Sequence, residues 1–127
     1  MSRFQVSGLA ILATGLLATG LLASPAAFAH AHLKTSVPAA NAVVTASPNE
    51  VAIEFTEGLE PKFSSIEVQD AKGTRVDKKD VHVAATDDKH LEVSLPKLAP
   101  GVYKVTWHAT ATDTHKTKGD FSFTVAP

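Results

Sequence analysis

Cysteine is absent from all 127 residues, which excludes a disulfide framework and any lipid carried on a cysteine. Methionine occurs once, as Met1, so the body of the chain offers neither thiolate nor thioether to a soft ligand. Blocks of one charge are missing too. The basic residues are scattered, and the adjacent pair Lys78-Lys79 is followed at once by Asp80, so neither a nucleic-acid partner nor charge-driven membrane association is implied. Aromatics make up 6% of the chain, and no stretch sustains a helical period.

One apolar stretch is present, from Leu9 to Leu22, behind a single positive residue, Arg3. It is shorter than the roughly 20 residues of a spanning helix, and Gly15, Gly20 and Pro25 interrupt the segment. The small-residue sequence Ala27-Phe28-Ala29 then completes a secretory leader pattern over residues 1–29. Export without cysteines points to a bacterial envelope protein. Cleavage after Ala29 leaves 98 residues, 30–127, enough for one small domain, with 11 Lys plus Arg against 13 Asp plus Glu.

The remainder alternates apolar and polar residues with the period of half-buried strands. Val51, Ile53 and Phe55 form one such face; Ile66 and Val68, Val81 and Val83, and Leu91, Val93 and Leu95 form others. Tyr103, Val105, Trp107 and Ala109 follow, then Phe121, Phe123 and Val125. Turn signals at Ala71-Lys72-Gly73 and Pro100-Gly101 separate them, and residues 37–48 read as a loop after a short first strand. The expected fold is all-β, a seven-strand antiparallel Greek-key sandwich or barrel.

The chemistry lies in the histidines, all six of them beyond residue 29. Cleavage after Ala29 makes His30 the first residue, where a free α-amine and an imidazole can close a chelate ring on one ion. His82, His90 and His108 fall on polar strand faces, where solvent exposure explains them. Asp113 and His115 sit where the Trp107 strand loses its alternation, and in extended backbone residues i and i+2 point to one side, so carboxylate and imidazole should converge. A loop pair in which Asp113 merely orients His115 is the plain alternative. With His30 nearby, an amine, two imidazoles and a carboxylate make four donors suited to tetragonal Cu(II); zinc would accept the same atoms but prefers a tetrahedron and follows copper in the usual divalent order. His32, at the third position, could chelate Cu(II) locally through the amine and backbone amides, or serve as an auxiliary ligand.

The chain resembles the CopC-type periplasmic copper-binding family, with its YobA-like members. The resemblance is carried by His30-Ala31-His32-Leu33, Ser36-Val37-Pro38-Ala39, Ile53-Glu54-Phe55-Thr56-Glu57-Gly58-Leu59, Phe63-Ser64, the strand from Gly101 to Trp107, Asp113-Thr114-His115, and Gly119 leading into Phe121-Ser122-Phe123-Thr124-Val125. It implies a cupredoxin-like or immunoglobulin-like domain that binds one Cu(II) through His30, Asp113 and His115. It also implies a monomeric, non-enzymatic copper carrier or buffer in copper homeostasis or resistance, handing ions to a CopD-type membrane transporter. Members with a methionine-rich loop for Cu(I) differ from this chain. Two other readings fit parts of the sequence. A copper monooxygenase with an amino-terminal histidine would need a flat aromatic surface, and a metal-free interaction domain of the sandwich type leaves His30 unexplained.

Overall fold

A computed structural model describes residues 30–127; the leader expected over residues 1–29 lies outside the described residues. Eight strands are formed: β1 (Leu33–Val37), β2 (Val43–Val44), β3 (Glu50–Phe55), β4 (Ser65–Gln69), β5 (His82–Ala84), β6 (Asp87–Ser94), β7 (Gly101–Thr110) and β8 (Lys116–Val125). They make two four-stranded sheets, ordered β1-β3-β6-β5 and β2-β8-β7-β4. The chain crosses between the sheets at every connection from β1 to β5 and again between β6 and β7, which gives the Greek-key connectivity. The seven antiparallel strands expected are present, and β2 is the addition. Its two residues, inside the segment read as a loop, run parallel to Thr124 and Val125 of β8. Two residues cannot show an alternation, so no periodic signal marks it.

The period-two faces meet between the sheets. Val51, Ile53, Phe55, Leu91 and Val93 from one and Ile66, Val68, Tyr103, Val105, Trp107, Phe123 and Val125 from the other are buried. Val81, Val83 and Phe121 pack against this core while staying partly exposed. Phe55 meets Trp107 edge-on across the sandwich, with ring centroids 5.1 Å apart. Removing each such side chain from water contributes about 1.5–3 kcal/mol. Gly119 stands opposite Trp107 in the β7–β8 register, and a Cβ there would lie 2.6 Å from the indole Cζ2, so the position has room for hydrogen alone.

The turns are built from local chemistry. Asp70 Oδ1 accepts the N–H groups of Lys72 and Thr74, each at 2.9 Å, and Gly73 takes φ +85°. After β3, a single 3₁₀ turn (Pro61–Phe63) clips onto the end of β7: the Ser64 hydroxyl accepts the Thr110 N–H at 3.0 Å, and the Thr110 hydroxyl donates to the Phe63 carbonyl at 2.7 Å. The β7–β8 hairpin loop, which carries Asp113 and His115, therefore starts from a fixed point.

Candidate metal centre

The segment 30–32 enters the fold at the end of the sandwich where β7 turns into β8. Ala31 is fully buried. Its carbonyl accepts the Thr117 hydroxyl of β8 at 2.6 Å. His32 exchanges contacts with Thr56: its N–H donates to Thr56 Oγ1 at 3.0 Å, and its carbonyl accepts the Thr56 N–H at 2.9 Å. The Thr56 hydroxyl in turn donates to the His30 carbonyl at 3.2 Å. Leu33 then begins β1 against Phe55. Thr56, just past the end of β3, and Thr117 in β8 thus seat the segment, and nothing in the alternation of the sequence singles out either.

This seating brings His30 to the hairpin loop. The His30 and His115 rings lie edge to face with centroids 4.8 Å apart, and the His32 ring is 5.9 Å from that of His30. His115 Nδ1 is 3.0 Å from Asp113 Oδ2. Asp113 and His115 converge as expected, but not through extended backbone. Asp113 Oδ1 accepts the His115 N–H at 3.1 Å, the Thr114 N–H closes a turn on the Ala111 carbonyl at 2.8 Å, and Thr114 takes φ +76°. The two side chains meet because the loop curls around the carboxylate. A β-branched residue in the left-handed region is strained by on the order of 1–3 kcal/mol, and the surrounding hydrogen bonds hold it there. The loop is tied to the rest of the domain by the Thr112 N–H on the Gly58 carbonyl at 3.0 Å and by bridge pairing of Ala111 with Leu59.

The electrostatics follow from these contacts. The hydrogen bond from the His115 ring, then the one from its backbone N–H, holds the Asp113 carboxyl below the usual carboxylate range. Asp113 also lines an open hollow of about 150 Å³ with Glu57, Gly58, Ala111 and Thr112, so the carboxylate is reachable from solvent. Among the described residues, no group of three or more His, Asp and Glu side chains stands as a ready-made metal cage. The side chains brought together are two imidazoles, of His30 and His115, and the Asp113 carboxylate.

The other histidines divide differently. His108 is exposed on the outer face of β7. His82 is exposed, with its ring 2.8 Å from the Asp80 carbonyl and 3.2 Å from Glu92, and the Asp80 contact raises its pKa. His90, expected to be solvated, is half-buried on the outer face of its sheet, 3.4 Å from Asp87 and 3.8 Å from Glu54. None of these three lies in the contacts described around His30.

Fold and site together define a class: a small two-sheet β-sandwich with the His30-Ala31-His32 segment held beside an Asp-x-His hairpin loop. The chain belongs to the CopC family, since the CopC domain model matches residues 33–126, a stretch that includes Asp113 and His115 and begins just after His32. Protein YobA of Escherichia coli strain K12 is 41% identical over 118 residues, covering 92% of this chain and 90% of its own. The crystal structure of CopC from Methylosinus trichosporium OB3b matches with a TM-score of 0.73 at 35% identity, covering 77% of this chain and 95% of that one. PcoC from Escherichia coli, described as a methionine-rich copper resistance protein, matches with a TM-score of 0.68 at 36% identity, covering 76% of this chain and 99% of its own.

Proposed function

We propose that the chain is exported, cut after Ala29, and then binds one Cu(II) as a periplasmic copper carrier or buffer in copper homeostasis or resistance. The ligands are the α-amine and imidazole of His30, the Asp113 carboxylate and the His115 imidazole. The observation that carries this reading is the 4.8 Å approach of the His30 and His115 rings, with Asp113 a further 3.0 Å contact from His115. The donor set suits Cu(II): three nitrogens and one oxygen match a tetragonal ion, and the anionic carboxylate offsets part of its charge. With no cysteine and with Met1 as the sole methionine, the domain lacks the sulfur ligands that Cu(I) prefers, in contrast to the methionine-rich relative.

Carriage is favoured over oxidative catalysis by the placement of the aromatics. Phe55, Tyr103, Trp107 and Phe123 are buried in the core and Phe121 is partly buried; among the described aromatics Phe63 alone is exposed, and one ring is no flat platform for a polymeric substrate. The ion is cargo, handed on to a CopD-type membrane transporter. Loading displaces the proton of the α-amine, whose ordinary pKa is about 7.7–8.0, so affinity falls on acidification. Mass spectrometry of exported material tests the processing step. A mature mass beginning at His30 is expected, and retention of the leader, or trimming elsewhere, would remove the basis of the proposal.

A further inference from the structure

We infer that Thr56 and Thr117 select the copper-binding mode of the amino terminus, holding the His30-Ala31-His32 backbone in a form that cannot wrap an ion with its own amide nitrogens. This rests on the Cu(II) reading above. A processed chain with histidine at its third position has a local alternative that needs no fold: amine, the amide nitrogens of residues 31 and 32, and the His32 ring, in one plane. To form it, the N–H bonds of Ala31 and His32 break, two N–Cu bonds form, and the two protons pass to water. Copper remains Cu(II) throughout. Both amide nitrogens must turn toward a single point.

In the fold the His32 nitrogen is committed elsewhere. Its N–H is donated to Thr56 Oγ1, the His32 carbonyl is held by the Thr56 N–H, and the same threonine hydroxyl holds the His30 carbonyl. Ala31 is buried, with its carbonyl drawn to Thr117 on the opposite sheet. Turning the two nitrogens onto one ion would break the His32–Thr56 hydrogen bond, pull Ala31 out of the core and detach the segment from both sheets. The competing chelate is therefore closed while the domain is folded and open when it is not. Thr56 and Thr117 are positioning residues: they touch the backbone of the ligand segment and leave the donor atoms to His30, Asp113 and His115.

The test is electron paramagnetic resonance of the full processed chain with one equivalent of Cu(II) and no other ligand. Folded wild type should show three coordinated nitrogens, in a spectrum lost in His115→Ala and kept in His32→Ala. In urea the count should rise to four, in a spectrum that His32→Ala abolishes, and the rise should come only with the unfolding transition followed by circular dichroism. Thr56→Val, which removes the hydroxyl at nearly constant volume, should give a four-nitrogen component in the folded protein, and Thr56→Ser should restore the wild-type spectrum. If Thr56→Val does not fold, Thr117→Val and the urea series of the wild type carry the test. A folded wild type that already shows four His32-dependent nitrogens overturns the inference. So does a four-nitrogen spectrum before unfolding, or folded Thr56→Val and Thr117→Val spectra that both match wild type. Failure of the copper reading itself looks different: folded wild type would then show a spectrum that neither His115→Ala nor His32→Ala changes.

Discussion

Two carboxylates in this domain each have a basic residue two positions away, and they do opposite things. Asp77 is buried, and its two oxygens accept four hydrogen bonds: from the backbone N–H groups of Val68 and Lys79 and from Nε and a terminal nitrogen of Arg75, at 2.9–3.1 Å. Asp113 is exposed at a loop tip, and its partner in the described hydrogen bonds is His115. The Asp77 partners span β4 and the loop before β5, so its work is to hold the fold. Asp113 leaves lone pairs facing solvent beside two imidazoles, where an ion can reach them. The spacing of acid and base is the same. Burial and saturation of the oxygens decide whether such a pair is structural or chemical.

The comparison can be broken at either end. The largest effect is expected at the structural end: Asp77→Ala should cost about 3 kcal/mol in denaturant unfolding, since it strands two backbone donors and part of a guanidinium, while copper stoichiometry stays at one. At the chemical end, His115→Ala should weaken Cu(II) affinity about 100-fold, or about 2.7 kcal/mol, in a competition titration. Its stability should stay within about 0.5 kcal/mol of wild type, because the ring is exposed. Asp113→Asn should cost about tenfold in affinity, since the amide keeps an oxygen but not the charge.

The acid response separates the two pairs as well. Burial pushes the Asp77 carboxyl up, but the hydrogen bonds from Arg75, Val68 and Lys79 outweigh it and hold the group below its ordinary value. A lowered folded pKa gives stability that is fully present above the unfolded value of about 3.9 and is lost as pH falls through the folded value. Thermal melts below about pH 4 should therefore show a steep loss in wild type and a shallower one in Asp77→Asn. Smallest and most local, Gly119→Ala should cost about 1–2 kcal/mol with unchanged copper affinity, as the indole of Trp107 must move to admit the methyl group.

Much of the sandwich was legible because it rests on a period. Val51 to Phe55, Leu91 to Leu95 and Tyr103 to Ala109 each announce a buried face by alternation alone. Strand β2 was not, since two residues paired in parallel to a distant strand leave no local trace. Asp113 and His115 were correctly placed together, though by a loop that curls rather than by a strand that extends. Left-handed Thr114 is a conformation that a β-branched residue does not advertise. The proximity of His30 to that loop is a tertiary fact, separated by 85 positions along the chain, and it became visible only with the seating of Ala31 and His32. Thr56 and Thr117 carry no sequence signal for the same reason: a polar residue in or beside a strand is ordinary until its hydroxyl holds another segment.

The central claim is that proteolysis makes the copper site by creating a second nitrogen donor on His30. The direct measurement is a Cu(II) competition titration of the chain beginning at His30 against a chain extended by one alanine before it, folded to the same extent by circular dichroism. The account predicts that the single added residue weakens binding at least about 100-fold, because it turns the amine into an amide and leaves the two imidazoles and Asp113 to hold the ion. Equal affinities for the two chains would contradict it.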